Sequence, residues 1–346
     1  MDGTSPLLHF PVAAPPPPGE TMAIAPGVHW LRMRLPFALD HINLWLLEDG
    51  PGWTIVDCGY ALPETQAAWE RIFAERLGGR PVTRVLVTHY HPDHVGLADR
   101  LCERWQAPLW ITEKEWLYAR LECREGEGSD ASRLAFAHRA GLDRAAIELF
   151  SERHFNYRRG VPSVPQTFRR ISDGMAITIG GRQWRVVVGE GHAPELACLY
   201  CAETGVMISS DQVLPRISPN VSVSPHEPEG DPLARFLKSL DKLREAVPPE
   251  VLVLPSHNLP FYGLHTRLDE LAAHHQARCD EIVAACVRPH TAAELLPILF
   301  RRRLDGHQTA FALGEALAHL HYLMGQDAIE RTIDAGGVAR FLRTAS

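Results

Sequence analysis

The stretch VTRVLVTHYHPDHVG, residues 82–96, runs an apolar β-type segment straight into three histidines and an aspartate within six positions. A solvated loop has no use for that density of imidazole, whereas a metal site does. The pattern His89-x-His91-x-Asp93-His94 stands where a strand ends, and loops at strand ends of a rigid scaffold are where chemistry is usually carried. In an extended loop alternate side chains point the same way, which places His89 and His91 to clamp one ion. Beyond the bend at Pro92, Asp93 and His94 face a second. Further ligands are expected at other strand ends, and three candidates follow apolar β-like runs: His192 in VVVGEGHAPE, Asp211 in GVMISSDQ and His257 in VLVLPSHN.

The chain around this cluster has 346 residues with 45% hydrophobic content, enough for a large buried core. A net charge of −7 provides no global positive field to attract nucleic acid or anionic lipid. Seven scattered cysteines, an odd number in a long chain, are unlike a small disulfide scaffold and fit reduced thiols in a cytoplasmic protein. The start of the chain lacks the basic and apolar regions of a secretory leader. No apolar run approaches the roughly 20 residues needed to span a bilayer.

Before the cluster, GVHWLRM, INLWLLEDG and WTIVDCG read as strands, with LPETQAAWERIFAERLGG as an amphipathic helix. After it, MAITI and QWRVVVGEG flank the turn Gly180-Gly181, followed by LACLYC, GVMISSD, a helical stretch near 231–246 and VLVLPSH. Two β-rich halves carrying helices predict a layered α/β sandwich. Residues 1–21 read as a proline-rich surface tail and 22–263 as the main domain. A helical insert at about 112–160, interrupted by REGEGSD, is placed to act as a lid. From 264 to 346 strand patterns give way to helices, with Leu264, Leu268, Leu271 and Ile282 on one face. Thr291-Ala-Ala-Glu294 reads as a capping box, and Asp334 to Gly337 as a hairpin turn. Helices followed by a hairpin predict a winged-helix-like appendage.

In this set of motifs the chain resembles the metallo-β-lactamase-fold hydrolase superfamily. Its loop motif stands here as HYHPDH, its later single histidine as His192, its bridging aspartate as Asp211 and its last histidine as His257. Its early strand-end aspartate stands as Asp57 in IVDCG. The resemblance covers about residues 22–262 and implies an αββα sandwich. The segment 264–346 resembles the winged-helix-like appendage of one branch. The resemblance also implies one metal held by His89, His91 and His192 and another by Asp93, His94 and His257, with Asp211 bridging. Asp57 would orient a ligand histidine from behind. Nitrogen and oxygen ligands without thiolate suit Zn²⁺ first, with Fe and Mn as alternatives. Paired zinc ions can hold a hydroxide that is nucleophilic near neutral pH, which implies hydrolysis, with Asp93 and Asp211 as the acting carboxylates.

The leading expectation is therefore a dinuclear zinc hydrolase acting on a small-molecule ester, thioester, lactone or related activated bond, hydrolytic dehalogenation included. A metal-dependent endoribonuclease is the first alternative, against which the acidic charge counts. An iron-dependent sulfur dioxygenase is the second, against which the full set Asp93, His94 and His257 counts. The motif GHAPEL, with Glu195-Leu196 in place of the Gly-His of many thioester-cleaving members, argues against a glutathione thioester. Arg216, Asn220, Tyr262 and His265 are candidate substrate contacts, since they lie just beyond Asp211 and His257. Cys198 and Cys201 read as structural, Ser209 and Ser210 as supports of the Asp211 loop, and Arg301 to Arg303 as a solvated helix face. His274 and His275 read as helix-surface or interface residues, and the apolar helix faces of the tail suit a homodimer.

Overall fold

The structure, a computed structural model, describes residues 7–124, 130–143, 146–147, 157–300, 304 and 306–345. The run Arg301 to Arg303, residues 125–129 of the glycine-rich interruption and most of the helical pattern at 143–155 lie outside them. The chain divides into two compact units, one of Met1–Arg124, Asn156–Pro219 and Asp241–Leu268, the other of Glu125–Phe155, Asn220–Leu240 and Asp269–Ser346.

The first unit is an α/β sandwich. One sheet holds, in spatial order, β1 (Met22–Ala25), β2 (Val28–Arg34), β3 (His41–Asp49), β4 (Gly52–Val56), β5 (Val82–Leu86), β6 (Leu109–Ile111) and β7 (Arg169–Arg170). Pairing is antiparallel up to β3–β4 and parallel from β4–β5 onward. The other sheet runs β12 (Leu252–Pro255), β11 (Val206–Ser210), β10 (Leu196–Cys201), β9 (Arg182–Gly189), β8 (Ala176–Ile179). There β11 and β12 are parallel, and β10 is antiparallel to both β9 and β11. Every residue of β4, β10, β11 and β12 is buried, which is why these segments read as continuous apolar runs without polar alternation. The two sheets share one core, in which Trp30, Trp45, Leu47 and Leu86 of the first meet Ile177, Trp184, Leu199, Ile208 and Leu254 of the second. Dispersion and burial of these large side chains hold the layers together.

Helices complete this unit. In α1 (Pro63–Glu75) the buried Thr65, Trp69, Ile72 and Phe73 follow helical spacing, and Trp69 Nε1 donates to the Cys58 carbonyl at 2.9 Å. A single turn, α2 (Pro92–Val95), opens on Pro92, whose fixed φ and missing N–H suit a first helical position. It leads through Gly96 to α3 (Ala98–Trp105). A Cβ at Gly96 would lie 2.4–2.5 Å from the carbonyl oxygens of Gly59, Pro92 and Gly160, so only glycine fits there. Helix α4 (Glu113–Arg124) follows β6. The proline-rich start is tied down more firmly than a surface tail. Leu8 is buried, and His9 and Tyr262 exchange backbone hydrogen bonds at 3.2 and 2.8 Å, an apolar anchor ahead of the prolines.

In the second unit α5 (Asp130–Arg139) is followed, after the short α6 (Tyr157–Gly160) of the first unit, by α7 (Pro232–Ala246), α8 (Leu264–Ala285), α9 (Ala292–Leu299) and α10 (Gly306–Gly325). Helices α7 and α8 each have residues in both units. The hairpin β13 (Ile329–Ile333) and β14 (Ala339–Arg343) ends the chain. Both local signals are present. Thr291 Oγ1 accepts from Glu294 N while Glu294 Oε2 accepts from Thr291 N, and Asp334 O accepts from Gly337 N at 2.9 Å. Residues 125–155 and 220–240 group with the tail, and Ala293 N donates to Ala140 O at 3.0 Å.

One expectation is corrected. His275 is 1% exposed, and its Nδ1 lies 3.1 Å from Nε2 of His319. It falls four residues after Leu271 and seven after Leu268, on the apolar stripe of α8, so helical geometry carries it inward. Burial pushes its pKa down to about 3, leaving it neutral. No helix among the described residues is long and apolar enough to cross a membrane.

Candidate metal centre

The predicted ligands leave the same ends of co-directional strands. Asp57 follows β4 and the HYHPDH loop follows its parallel neighbour β5, while His192, Asp211 and His257 follow β9, β11 and β12. Two groups result: His89, His91, His192 and Asp211 in one, Asp93, His94 and His257 in the other, each with its ligand atoms within 4.8 Å of one another. His89 Nε2 lies 3.0 Å from His91 Nδ1 and 3.3 Å from His192 Nε2. Asp211 joins the groups. Its Oδ2 is 3.4 Å from His192 Nε2 and 3.5 Å from His94 Nε2, and its Oδ1 is 3.4 Å from His257 Nε2. Asp93 Oδ2 lies 3.6 Å from His257 Nε2 and 3.8 Å from His94 Nε2.

The partners behind the rings decide which nitrogen faces inward. His94 Nδ1 donates to Asp57 Oδ2 at 2.8 Å, and His257 Nδ1 donates to the His41 carbonyl at 2.8 Å. In neutral rings both Nε2 atoms are then lone pairs, and they point at carboxylate oxygens. His94 Nε2 and Asp211 Oδ1 are buried with no hydrogen-bond partner. Acceptors facing acceptors in a buried site are stable only with a cation or protons between them. The residues therefore fit divalent metal.

The electrostatics agree. Burial and the neighbouring imidazoles of His94, His91 and His192 hold His89 well below the usual histidine range, and burial and His192 do the same for His91. Burial also opposes charge on His94, but Asp57, Asp93 and Asp211 outweigh it and raise its pKa well above the ordinary value. His257 is likewise raised, by Asp211 and Asp93 against burial. Burial opposes ionisation of Asp211, yet His257 and His94 hold it well below the usual carboxylate range. His89 and His91 are thus held neutral and Asp211 ionised, the states that metal binding requires, while the raised pKa of His94 and His257 marks a concentration of negative charge that a divalent cation would satisfy in place of protons.

Supports that sequence reading missed surround these groups. Thr88 places N and Oγ1 on Asp57, both at 2.8 Å, and its hydroxyl lies 3.1 Å from His89 Nδ1 and 2.8 Å from Ser210 Oγ. Ser256 Oγ donates to Ser210 Oγ at 3.3 Å. Asn43 Nδ2 donates to the carbonyls of Pro255 and Asn258, and Arg32 also reaches Asn258 O. Asn258 N donates to His41 Nε2 at 2.9 Å, while His41 Nδ1 lies 2.7 Å from Asp40. Three non-glycine residues beside the ligands take left-handed backbone, Asp57 (φ 62), Ser210 (φ 50) and Asn258 (φ 71). Such strain persists where surrounding bonds over-determine the chain, as they do here.

The candidate substrate contacts are placed as follows. Tyr262 stacks on His9 with centroids 5.9 Å apart, and Arg216 lies 6.0 Å from the Phe10 ring. His265 Nε2 donates to the Val247 carbonyl at 2.8 Å. Asn220 accepts from Ser222 Oγ and belongs to the second unit. Cys198 and Cys201 are buried free thiols within β10, and Ser209 Oγ donates to Val213 O at 2.9 Å, beside the Asp211 loop.

A family model described as Metallo-beta-lactamase superfamily matches residues 38–257, and one described as Metallo-beta-lactamase-like, C-terminal domain matches residues 279–344. Among solved structures, a Beta-lactamase domain protein from Burkholderia ambifaria is 48% identical with a TM-score of 0.91, covering 97% of this chain and 98% of that one. A metallo-beta-lactamase family protein from Thermus thermophilus is 32% identical with a TM-score of 0.79, covering 93% of this chain and all of that one. The "Probable metallo-hydrolase YqjP" of Bacillus subtilis is 22% identical over 311 residues, 86% of this chain and 92% of that protein.

Proposed function

The chain belongs to the metallo-beta-lactamase superfamily, and from that premise we propose that it is a hydrolase working with two zinc ions on a small molecule carrying an ester, thioester, lactone or related activated bond. The observation that carries this reading is the sharing of Asp211 between two groups of inward-facing imidazoles and carboxylates. A site with only the three-histidine group complete would suit one metal; here the second group has Asp93, His94 and His257 as well. Divalent ions held there would bring the pKa of a bound water near 7 and polarise the bond to be cleaved.

The chain's own residues supply orientation and proton handling. Asp57 and the His41 carbonyl keep His94 and His257 in the tautomers that present Nε2. Thr88 and Ser210 hold His89 from its Nδ1 side. Asp93, whose side chain is 18% exposed against 9% for Asp211, is proposed to take the proton released during attack. Arg216 and Tyr262 are proposed substrate contacts, which would make the segment around His9 and Phe10 part of the same wall. The seven unpaired cysteines support a reducing, cytoplasmic setting, and a homodimer is proposed for the tail's apolar helix faces.

The test is to strip the full-length protein with chelator and reload it with Zn²⁺, Mn²⁺ or Fe²⁺. Bound metal is then counted, and aryl esters, acyl thioesters, lactones, halogenated aromatics and single-stranded RNA are offered. Two zinc ions per chain and turnover of a small molecule are expected. One tightly bound iron with dioxygen consumption, or RNA cleavage with no small-molecule turnover, would overturn the reading.

A further inference from the structure

The HYHPDH loop and the His192 loop come from different sheets, yet their nitrogens must meet within a few tenths of an ångström to share an ion. We infer that Glu115 of α4 is a positioning residue that sets this spacing and thereby the affinity of the three-histidine group for its ion. The inference rests on the reading above that these groups hold divalent metal.

Glu115 is fully buried, and its two oxygens are used separately. Oε2 accepts from Tyr90 N at 2.9 Å, the amide between ligands His89 and His91, and Oε1 accepts from Glu195 N at 2.6 Å, three residues beyond His192. One carboxyl group therefore ties the two loops together. Thr112, just before α4, and Lys114 in its first turn reinforce the grip. Thr112 Oγ1 donates to Glu195 O at 3.0 Å, Lys114 N donates to Glu195 Oε2 at 3.2 Å, and Lys114 Nζ lies 3.1 Å from Glu195 Oε1. On the other side the Tyr157 hydroxyl donates to Tyr90 O, and the Tyr90 ring lies 5.5 Å from that of Tyr118. Residue 90 is thus held at its N–H and its carbonyl, between two ligands.

The geometry calls for two oxygen acceptors on one side chain. Two backbone N–H groups converge on one side chain, so two acceptors on a rigid fork satisfy both. Glutamine has one acceptor and sets its own NH₂ against the other amide. The second group is oriented by different partners, Asp57 for His94 and the His41 carbonyl for His257. Loss of Glu115 should therefore act on one group selectively, which a general structural role would not do.

The experiment titrates Zn²⁺ into chelator-stripped full-length protein in competition with a chromophoric chelator, for wild type, E115Q and His192→Ala. His192→Ala removes a ligand of the three-histidine group and so identifies its binding step. In E115Q that step should weaken by about tenfold, the lower end of what loss of an outer-shell partner costs, while the other changes by less than about threefold. The Co²⁺-loaded protein should show an altered absorption spectrum for the same step. Unchanged affinities, or equal loss at both steps, would overturn the inference. If E115Q does not fold, E115D, which keeps both oxygens but shortens the reach, is read by the same two outcomes. A wild type that binds no divalent ion would instead sink the functional reading.

Discussion

Asp57→Asn changes one atom and should cost the centre one ligand. Asp57 is 1% exposed and accepts from Thr88 N, Thr88 Oγ1 and His94 Nδ1, each at 2.8 Å. With the asparagine oxygen kept on Thr88 N, the new NH₂ faces His94 Nδ1. That ring must then accept at Nδ1 and carry its hydrogen on Nε2, 3.5 Å from Asp211 Oδ2, where a lone pair is needed. The opposite rotamer sets NH₂ against the Thr88 amide. Asparagine tolerates the left-handed backbone that Asp57 adopts (φ 62), so strain does not confuse the result. Restoring His94 as a ligand forfeits a hydrogen bond to a charged group, about 1.5–3 kcal/mol. At about 1.4 kcal/mol per tenfold, the affinity for one ion should fall roughly ten- to hundredfold. Competition titration with a chromophoric chelator measures it, with far-UV circular dichroism as the control for folding. A variant that bound both ions as tightly as the wild type would refute the tautomer argument.

Asp211→Ala should reduce bound zinc from two ions per chain to one or none and abolish hydrolysis with the far-UV spectrum unchanged, as elemental analysis and a rate assay would show. Gly96→Ala forces a methyl within 2.4–2.5 Å of three backbone carbonyls and should lower stability by about 3 kcal/mol, read from the urea midpoint. Burial pushes Glu115 up to about 8 from an ordinary 4.5. Between those values the folded chain keeps a proton that the unfolded chain has released, so this group's contribution falls as pH rises through the window. Metal-free E115Q should accordingly show a flatter stability profile from pH 4.5 to 8 than wild type in urea titrations. Hydrolysis of a small substrate should change by less than about twofold between low and moderate salt, whereas an enzyme using six phosphate contacts would lose affinity by about 10³-fold.

The candidate ligands could be picked out because each follows an apolar run, and a strand's burial is written in the sequence as hydrophobic residues without interruption. The capping box at Thr291 and the turn at Asp334 were legible for a similar reason, since their bonds join residues two to four apart. Glu115, Thr88, Ser256, Asn43 and His41 carried no such mark. Their partners lie 80, 31, 46, 212 and 216 residues away, and no periodicity records a bond that exists only once two sheets have closed on each other. His275 shows the same boundary from the other side. Its type suggested the surface, but its spacing from Leu268 and Leu271 on the stripe of α8 already placed it inward. The candidate ligand set is thus written in local sequence. Which nitrogen each ligand presents, and how far apart the loops stand, depends on hydrogen bonds across the closed sandwich, whose geometry only burial of the shared core could set.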